Sequence, residues 1–230
     1  MLYPTSVYRF RRGGPVLPLL AILLAIVLLP RSARAQWRID AWLGDAWSAP
    51  TNVTFMQASE PDISATGHWS TRPFDPTWYY GGRISSWKGN SGWGFEYLHH
   101  KIYMDNPPPG VEFFRVTNGV NLFLPERLWR RHGWEFNVGA GPVMVVPVSK
   151  VRGLEYDNAN GIFDSRYEFG GGAIAAGISR RLRLLPFTFG EVSIQGSAAY
   201  VRGRIVDGHA TTMNYALHIQ YGLSLQTKPR

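Results

Sequence analysis

The stretch TTMNYALHIQYGLSLQT, residues 211–227, alternates apolar and polar side chains over its whole length. One face carries the large apolar residues Met213, Tyr215, Leu217, Ile219, Tyr221, Leu223 and Leu225. The other face carries small or polar residues such as Asn214, His218 and Gln220, and little charge. A strict period of two predicts a β-strand with one apolar and one polar face.

Period-two alternation recurs along most of the chain, in segments bounded by turn signals. The eight predicted strands are 36–46, 78–87, 93–104, 114–124, 134–148, 167–181, 187–205 and 211–227. The long connections are 49–76, 105–112 and 153–164, and they alternate with short turns. The polar segment 50–76 is predicted as a loop, with a short hairpin as the alternative. Such strands suit a bilayer crossing of about 9–11 tilted residues. The pattern predicts an all-β fold: an eight-stranded antiparallel up-and-down transmembrane β-barrel of the outer-membrane type.

Tryptophans flank two of the short turns. Trp87 and Trp93 flank one, and Trp129 and Trp134 flank another. We expect an interfacial aromatic girdle there, on the periplasmic side. A soluble lipocalin-like barrel would instead turn its apolar face inward. The uninterrupted apolar face of residues 211–227 favours the membrane barrel.

The N-terminal residues predict the compartment. A leader with Arg9, Arg11 and Arg12 precedes the apolar run 15–30, and an Ala-x-Ala site ends at Ala35. This order predicts a cleaved secretory signal peptide, residues 1–35, followed by one barrel domain, residues 36–230. The predicted location is the outer membrane of a Gram-negative cell. Expected partners are the barrel-insertion machinery and outer-membrane lipids or lipopolysaccharide, and we expect a monomer.

The positive charge of the chain lies largely in this leader. Residues 1–35 hold five arginines and no acid, so their removal lowers the formal net charge from +8 to +3. The charge therefore gives no argument for nucleic-acid binding. Because the sequence has no cysteine, it has neither a disulfide framework nor thiolate chemistry.

Charged and polar residues recur on the face of the strands that should line the lumen. The predicted lumen network comprises Arg38, Asp40, Arg83, Glu96, Glu135, Glu191 and His218. One interpretation is a set of paired charges that plugs the interior, and the other is a conducting or catalytic channel. An eight-stranded barrel is just wide enough for side chains to fill, which favours the plug and disfavours a porin.

The segment 93–104 ends in a cluster of titratable residues. Strict alternation would place His99, Lys101 and Tyr103 together at the outer-leaflet headgroups, whereas a bulge near His99 would turn them into the lumen. Lys101, Arg115 and Arg152 are candidates for binding lipopolysaccharide phosphates. The alternative is a snorkelling lysine beside an interfacial histidine.

A metal site at this cluster is a further hypothesis. It would recruit carboxylates from Asp105, Glu60 or Asp62, because imidazole and carboxylate together suit a divalent metal. No HxxxH or HExxH spacing supports it. The sequence therefore does not identify a metal.

Several segments resemble a known family. They are Trp42…Ser48-Ala49-Pro50…Val53-Thr54, Trp69…Pro73-Phe74, Tyr79-Tyr80-Gly81-Gly82-Arg83, Gly94-Phe95-Glu96…His99-His100-Lys101-Ile102-Tyr103, Thr117-Asn118-Gly119-Val120-Asn121-Leu122, Gly139-Ala140-Gly141-Pro142 and Gly190-Glu191. Together they resemble the small proteobacterial outer-membrane barrels that include lipid A oxidase-like proteins. Many such barrels end on an aromatic residue, which this chain lacks.

The resemblance implies an activity as well as a barrel. For its oxidase branch, that activity is oxygen-dependent oxidation of the proximal glucosamine of lipid A to aminogluconate, with molecular oxygen as oxidant. The matching positions are Glu96, His99, Lys101, Tyr103, Asn118 and Asn121, and the candidate catalytic residues are His99, Lys101, Tyr103 and Glu96. The alternative function is a non-enzymatic structural or adhesive barrel that acts through its long loops.

Overall fold

A computed structural model of the chain describes residues 35–75, 77–157 and 166–227. The predicted signal peptide lies outside the described residues except for Ala35, and it stays a prediction. Part of the predicted loop 153–164 is also outside them. In the described ranges, no helix is long and apolar enough to cross a membrane.

The described chain is built from antiparallel β-strands. They are β1 (Gln36–Gln57), β2 (Ile63–Ser70), β3 (Tyr80–Lys88), β4 (Ser91–Met104), β5 (Val111–Arg131), β6 (Trp134–Val151), β7 (Leu154–Asp157), β8 (Glu168–Leu185), β9 (Thr188–Ile205) and β10 (Gly208–Gln226). Eight of them pair in the order β1-β3-β4-β5-β6-β8-β9-β10, and β10 pairs with β1 to close the barrel. Closure leaves no open sheet edge in the wall.

The predicted strand positions are confirmed, with two additions. Each of the eight predicted strands overlaps one strand of the closed barrel. The segment 49–76 was predicted as a loop with a short hairpin as the alternative, and the hairpin is what the structure has. The segment continues β1 to Gln57 and contains β2, which pairs with β1 and with the end of β4. The loop 153–164 contains β7, which pairs with β6. The described residues therefore form ten strands, eight of which make the closed barrel.

The two ends of the barrel differ. Short turns join β3 to β4, β5 to β6 and β8 to β9 at one end, here called the turn end. The longer connections, with β2 and β7, lie at the other end, here called the loop end, together with the two-residue turn from β9 to β10. Short turns face the periplasm and long loops face outward in barrels of this type.

The outer wall is apolar. The outward residues of β10, including Leu217, Ile219 and Leu223, are about half exposed, as are Ile39 of β1 and Ile194 of β9. A wall of large exposed apolar side chains around a polar interior is the reverse of a soluble barrel, and it requires lipid around it. The chain is therefore an outer-membrane β-barrel.

One member of the predicted girdle is misplaced. Trp93, Trp129 and Trp134 are exposed at the turn end, but Trp87 is buried in the lumen. Its indole Nε1 donates to Ser85 Oγ, and the Arg38 guanidinium lies 4.8 Å from its ring centroid. The prediction for Trp87 is wrong because Trp87 shares the inward parity of Arg83 and Ser85 on β3.

The lumen is filled in layers. Charged side chains occupy the turn end, and hydrogen-bonded histidines and amides follow. The loop end is packed with apolar side chains, which include Val53, Phe55, Ile102, Phe114, Val116, Val145, Val201 and Ile205. This apolar layer closes the outer half of the barrel interior.

Candidate functional site

The predicted lumen residues lie together at the turn end as an ion-pair network. The Arg38 guanidinium contacts both Asp40 and Glu135, and Arg83 lies 3.1 Å from Glu96. All of these side chains are at least nine-tenths buried. Glu191 is buried beside them without a hydrogen-bond partner among the described residues.

The lumen network predicted from the sequence did not include three residues that belong to it. Glu126 forms an ion pair with Arg83 Nε, while Arg130 and Arg181 lie 2.7 and 3.0 Å from Glu135. Inward parity on β5 and β8, with β5 continued past residue 124, would have found all three residues. The described network thus holds cations directly between carboxylates, as burial of charge requires.

His218 belongs to the polar layer above this network. Its Nε2 lies 2.8 Å from Ser197 Oγ, and its Nδ1 lies 3.1 Å from Tyr79 OH. The His100 ring lies edge-on to it, with centroids 5.0 Å apart. His100 Nε2 is in turn 2.9 Å from Asn214 Oδ1. Every one of these partners faces the lumen.

The side chains of β4 alternate to its end. The inward ones include Leu98, His100 and Ile102, which are fully buried against the lumen contents. His99 and Lys101 therefore face outward, on the side of the wall that carries Phe95. A register shift does occur between His100 and Ile102, but it preserves this parity.

His99 is nevertheless buried, because outward neighbours cover it. These neighbours and His99 form a wall cluster: Thr77, Tyr80, Tyr97, His99 and Asn121. The Tyr80 ring stacks on the imidazole with centroids 4.7 Å apart, and His99 is 2% exposed. Tyr97 OH donates to Asn121 Oδ1 at 2.6 Å.

The cluster fixes which nitrogen of His99 carries the proton. Asn121 Nδ2 donates to the carbonyl oxygens of Asn118, Gly119 and Met144, which orients the amide oxygen towards His99. His99 Nδ1 therefore donates to Asn121 Oδ1 at 2.9 Å. The Nε2 lone pair faces Thr77 Oγ1 at 3.2 Å and can accept a proton.

The space for His99 is made by an irregularity in β5. Three residues of β5, 117–119, stand opposite the single residue Lys101 of β4. Gly119 lies in this bulge with φ +97°, a backbone conformation that residues with a side chain rarely adopt. A Cβ at Gly119 would overlap His99 Nδ1 and Cε1. Position 119 thus requires glycine, because the backbone has a positive φ and because a side chain there would overlap His99.

Cations gather beside the wall cluster, around the ring of Tyr103. Arg72 stacks on this ring at 4.3 Å, and Lys101 Nζ lies 5.8 Å from its centroid. Arg115 of β5 is the register partner of Tyr103 and is exposed. Lys101 Nζ donates to the Asp75 carbonyl oxygen at 2.7 Å. Arg72 gave no sequence signal, since its role depends on the fold of the segment before β3.

The remaining predicted site residues lie elsewhere. Glu96 faces the lumen, where it pairs with Arg83, so alternation separates it from His99. Arg152 is fixed at the loop end, where Nη1 donates to Gln57 Oε1 and Nε lies 3.9 Å from Glu60. The structure therefore does not bring Glu96 or Arg152 into the wall cluster.

The described residues do not fit the hypothetical metal site. Asp105 accepts a hydrogen bond from Ser70 Oγ, and Glu60 lies near Arg152. Both His99 nitrogens already face neighbouring polar atoms. Across the described parts of the chain, no three His, Asp or Glu side chains are grouped as metal ligands.

Comparison with known proteins gives structural likenesses without a family assignment. No protein-family model and no curated protein matches the chain. It is similar to the Neisserial surface protein A, at TM-score 0.36 and 10% identity, covering 83% of this chain and 96% of that one. It is also similar to the outer membrane protein AlkL, at TM-score 0.45 and 10% identity, covering 99% and 96%. A third is Ail of Yersinia pestis, at TM-score 0.35 and 8% identity, covering 83% and 97%.

Proposed function

We propose that this outer-membrane barrel modifies lipid A at the outer leaflet, as an oxidase-like enzyme acting on the proximal glucosamine. One observation carries the proposal: the wall cluster places a histidine on the lipid-facing side of β4, and the Nε2 lone pair of this histidine faces the Thr77 hydroxyl, which a headgroup could displace. Polar residues in this position contribute nothing to filling the lumen. A lipid headgroup is the ligand that such a position can reach.

The cations near Tyr103 support the choice of a phosphorylated headgroup. Lys101 and Arg115 lie on the outward face, with Arg72 stacked on Tyr103 beside them. Guanidinium and ammonium groups both bind phosphate, and the planar guanidinium can do so with two parallel hydrogen bonds. In this arrangement the phosphate is held by Arg72 and Arg115, and the sugar lies towards His99.

The proposed reaction balances with molecular oxygen as the oxidant. The substrate carries a free anomeric hydroxyl on the proximal glucosamine, so the phosphate held by Arg72 and Arg115 is on another position of the headgroup. The hemiacetal C1–H and O–H together lose two electrons and two protons, and C1 becomes a lactone carbonyl. Oxygen takes both as hydrogen peroxide, and water opens the lactone to the aminogluconate acid. His99 Nε2 accepts the proton of the anomeric hydroxyl after the headgroup displaces the Thr77 hydroxyl, as a general base within hydrogen-bond reach would.

The test is mass spectrometry of lipid A from cells with and without the protein. We expect the intact protein to add one oxygen atom to the proximal sugar, and we expect His99→Ala to abolish this change. His209→Ala is the matched control, because His209 is a histidine of β10 outside the wall cluster. Unchanged lipid A in the presence of correctly inserted wild-type protein would refute the enzymatic proposal.

A second candidate is a structural or adhesive function at the loop end. β1, β5 and β10 have 22, 21 and 19 residues. About 9–11 residues suffice to cross the bilayer, so the loop end extends well beyond it. The apolar layer fills this extension, and the short strands β2 and β7 pair with its strands, so the extension presents a folded surface. Cell-binding assays with the loop 105–112 shortened would test this alternative.

A porin function conflicts with the filled lumen. The buried ion pairs and the apolar layer leave no continuous polar path through the described interior. We therefore expect no stable conductance steps from the purified protein in planar bilayers. The measurement is single-channel recording beside a known porin, and reproducible steps from the folded protein would contradict this expectation.

A further inference from the structure

Exposed charge at the turn end has one sign. The basic residues on its surface are Lys88, Arg127, Arg131, Arg180 and Arg183, of which Arg127 is half-buried. Within the described ranges 36–40, 83–96, 126–139, 178–193 and 220–227, all acidic residues are buried in the lumen: Asp40, Glu96, Glu126, Glu135 and Glu191. Their charges are screened from the outside and face the lumen cations. The outer surface here is therefore a cationic collar, formed by these five basic residues.

At the loop end, exposed acidic and basic residues occur together. Exposed acids such as Glu60, Asp62 and Asp105 lie there together with exposed arginines such as Arg202 and Arg204. The cationic collar is therefore a local property of one rim, and does not simply reflect a basic protein. A single-sign rim attracts one class of charged partner.

Two members of the collar are fixed against girdle tryptophans. The Arg127 guanidinium lies 5.1 Å from the Trp93 ring centroid, and Arg180 lies 5.1 Å from that of Trp134. Arg127 Nη1 also donates to the Gly92 carbonyl oxygen at 3.0 Å. Both tryptophans are exposed on the lipid-facing wall. Each pair therefore holds a guanidinium at the depth where an interfacial tryptophan lies, near the headgroups.

We propose that the cationic collar binds the phosphate groups of anionic phospholipids in the inner leaflet of the outer membrane. Arginine suits this role because its planar group binds phosphate oxygens in pairs while it stacks on an aromatic ring. The exposed apolar residues Leu182, Leu184 and Phe187 next to Arg180 supply contacts for the acyl chains. The partner is a lipid rather than a soluble anion, because Arg127 and Arg180 lie on the outer wall beside exposed apolar groups.

Native mass spectrometry of the purified full chain tests the proposal. The barrel in a zwitterionic detergent is titrated with phosphatidylglycerol and, separately, with phosphatidylcholine. We expect wild type to retain phosphatidylglycerol preferentially, and the double variant R127Q/R180Q to lose this preference by about fivefold for each arginine removed. The preference should also weaken between 0.1 M and 1 M salt, as the Debye length falls from about 10 Å to about 3 Å.

The matched control removes two exposed arginines from the other end. R202Q/R204Q changes the net charge equally but leaves the collar intact, so it should keep the wild-type preference. Because Arg127 is half-buried, R131Q/R180Q provides a second test with two exposed positions on the outward faces of β5 and β8. Equal loss in the control, or full preference in both collar variants, would overturn the proposal. Each variant must first be shown to be folded, by the change in its gel migration on heating.

Discussion

Arg83→Met is expected to destabilise the barrel by about 3–5 kcal/mol, the cost of removing one partner from a buried ion pair. Arg83 lies between two buried carboxylates, those of Glu96 and Glu126. Without it, both carboxylates remain in the lumen without their cation, and Trp42 loses the guanidinium that lies 5.1 Å from its ring. The measurement is urea unfolding in lipid vesicles, followed by tryptophan fluorescence and by gel migration with and without heating.

Two further variants identify the cause. The triple variant R83M/E96Q/E126Q removes the charge along with its partners, so much of the lost stability should return. R202Q removes an exposed arginine and should change the free energy of unfolding by less than about 0.5 kcal/mol. If Arg83→Met alone unfolds like wild type, the ion pairs of the lumen do not hold the barrel together.

Gly119→Ala is expected to lower lipid A modification by about 100-fold, the scale of effect that a 1 Å misplacement of a reacting group can cause. The new Cβ would overlap His99, so the imidazole must move from its contacts with Asn121 and Thr77. The positive φ adds a backbone cost of about 1–2 kcal/mol. Lipid A mass spectrometry measures the first effect, and urea unfolding measures the second.

Gly133→Ala separates these two effects. Gly133 also has a positive φ, +79°, but a Cβ there meets no atom within 4 Å. It should therefore show the backbone cost alone and keep full activity. Equal activity of the two alanine variants would mean that the position of His99 does not matter for the reaction. Unmodified lipid A from wild type would refute the oxidase proposal itself.

The sequence predicted the wall of the barrel well, because burial in a barrel wall has a period of two. The parity of residues 36–46 placed Arg38 and Asp40 inside and Ile39 and Leu43 outside, as the structure has them. β2 was predicted only as an alternative, a short hairpin within the loop 49–76, because its eight residues gave no strong apolar signal and form a strand only by pairing with β1 and β4.

The candidate site was only partly visible in the sequence. Alternation placed His99 and Lys101 on the outward face, which the structure also shows. The burial of His99 could not be predicted, since it results from Tyr80, Asn121 and the segment before β3. Likewise, Arg72 contacts Tyr103 only because the segment before β3 packs against the barrel wall.

Local alternation and turn chemistry therefore determine that this chain is a membrane barrel. The apolar and polar faces of each strand are set by the sequence of that strand alone. The tertiary structure alone decides which residues meet across strands. It pairs Arg38 with Glu135 across 97 residues of sequence and opens the bulge at Gly119 that accommodates His99. Such contacts depend on strand register and barrel closure, which join residues that no local pattern connects.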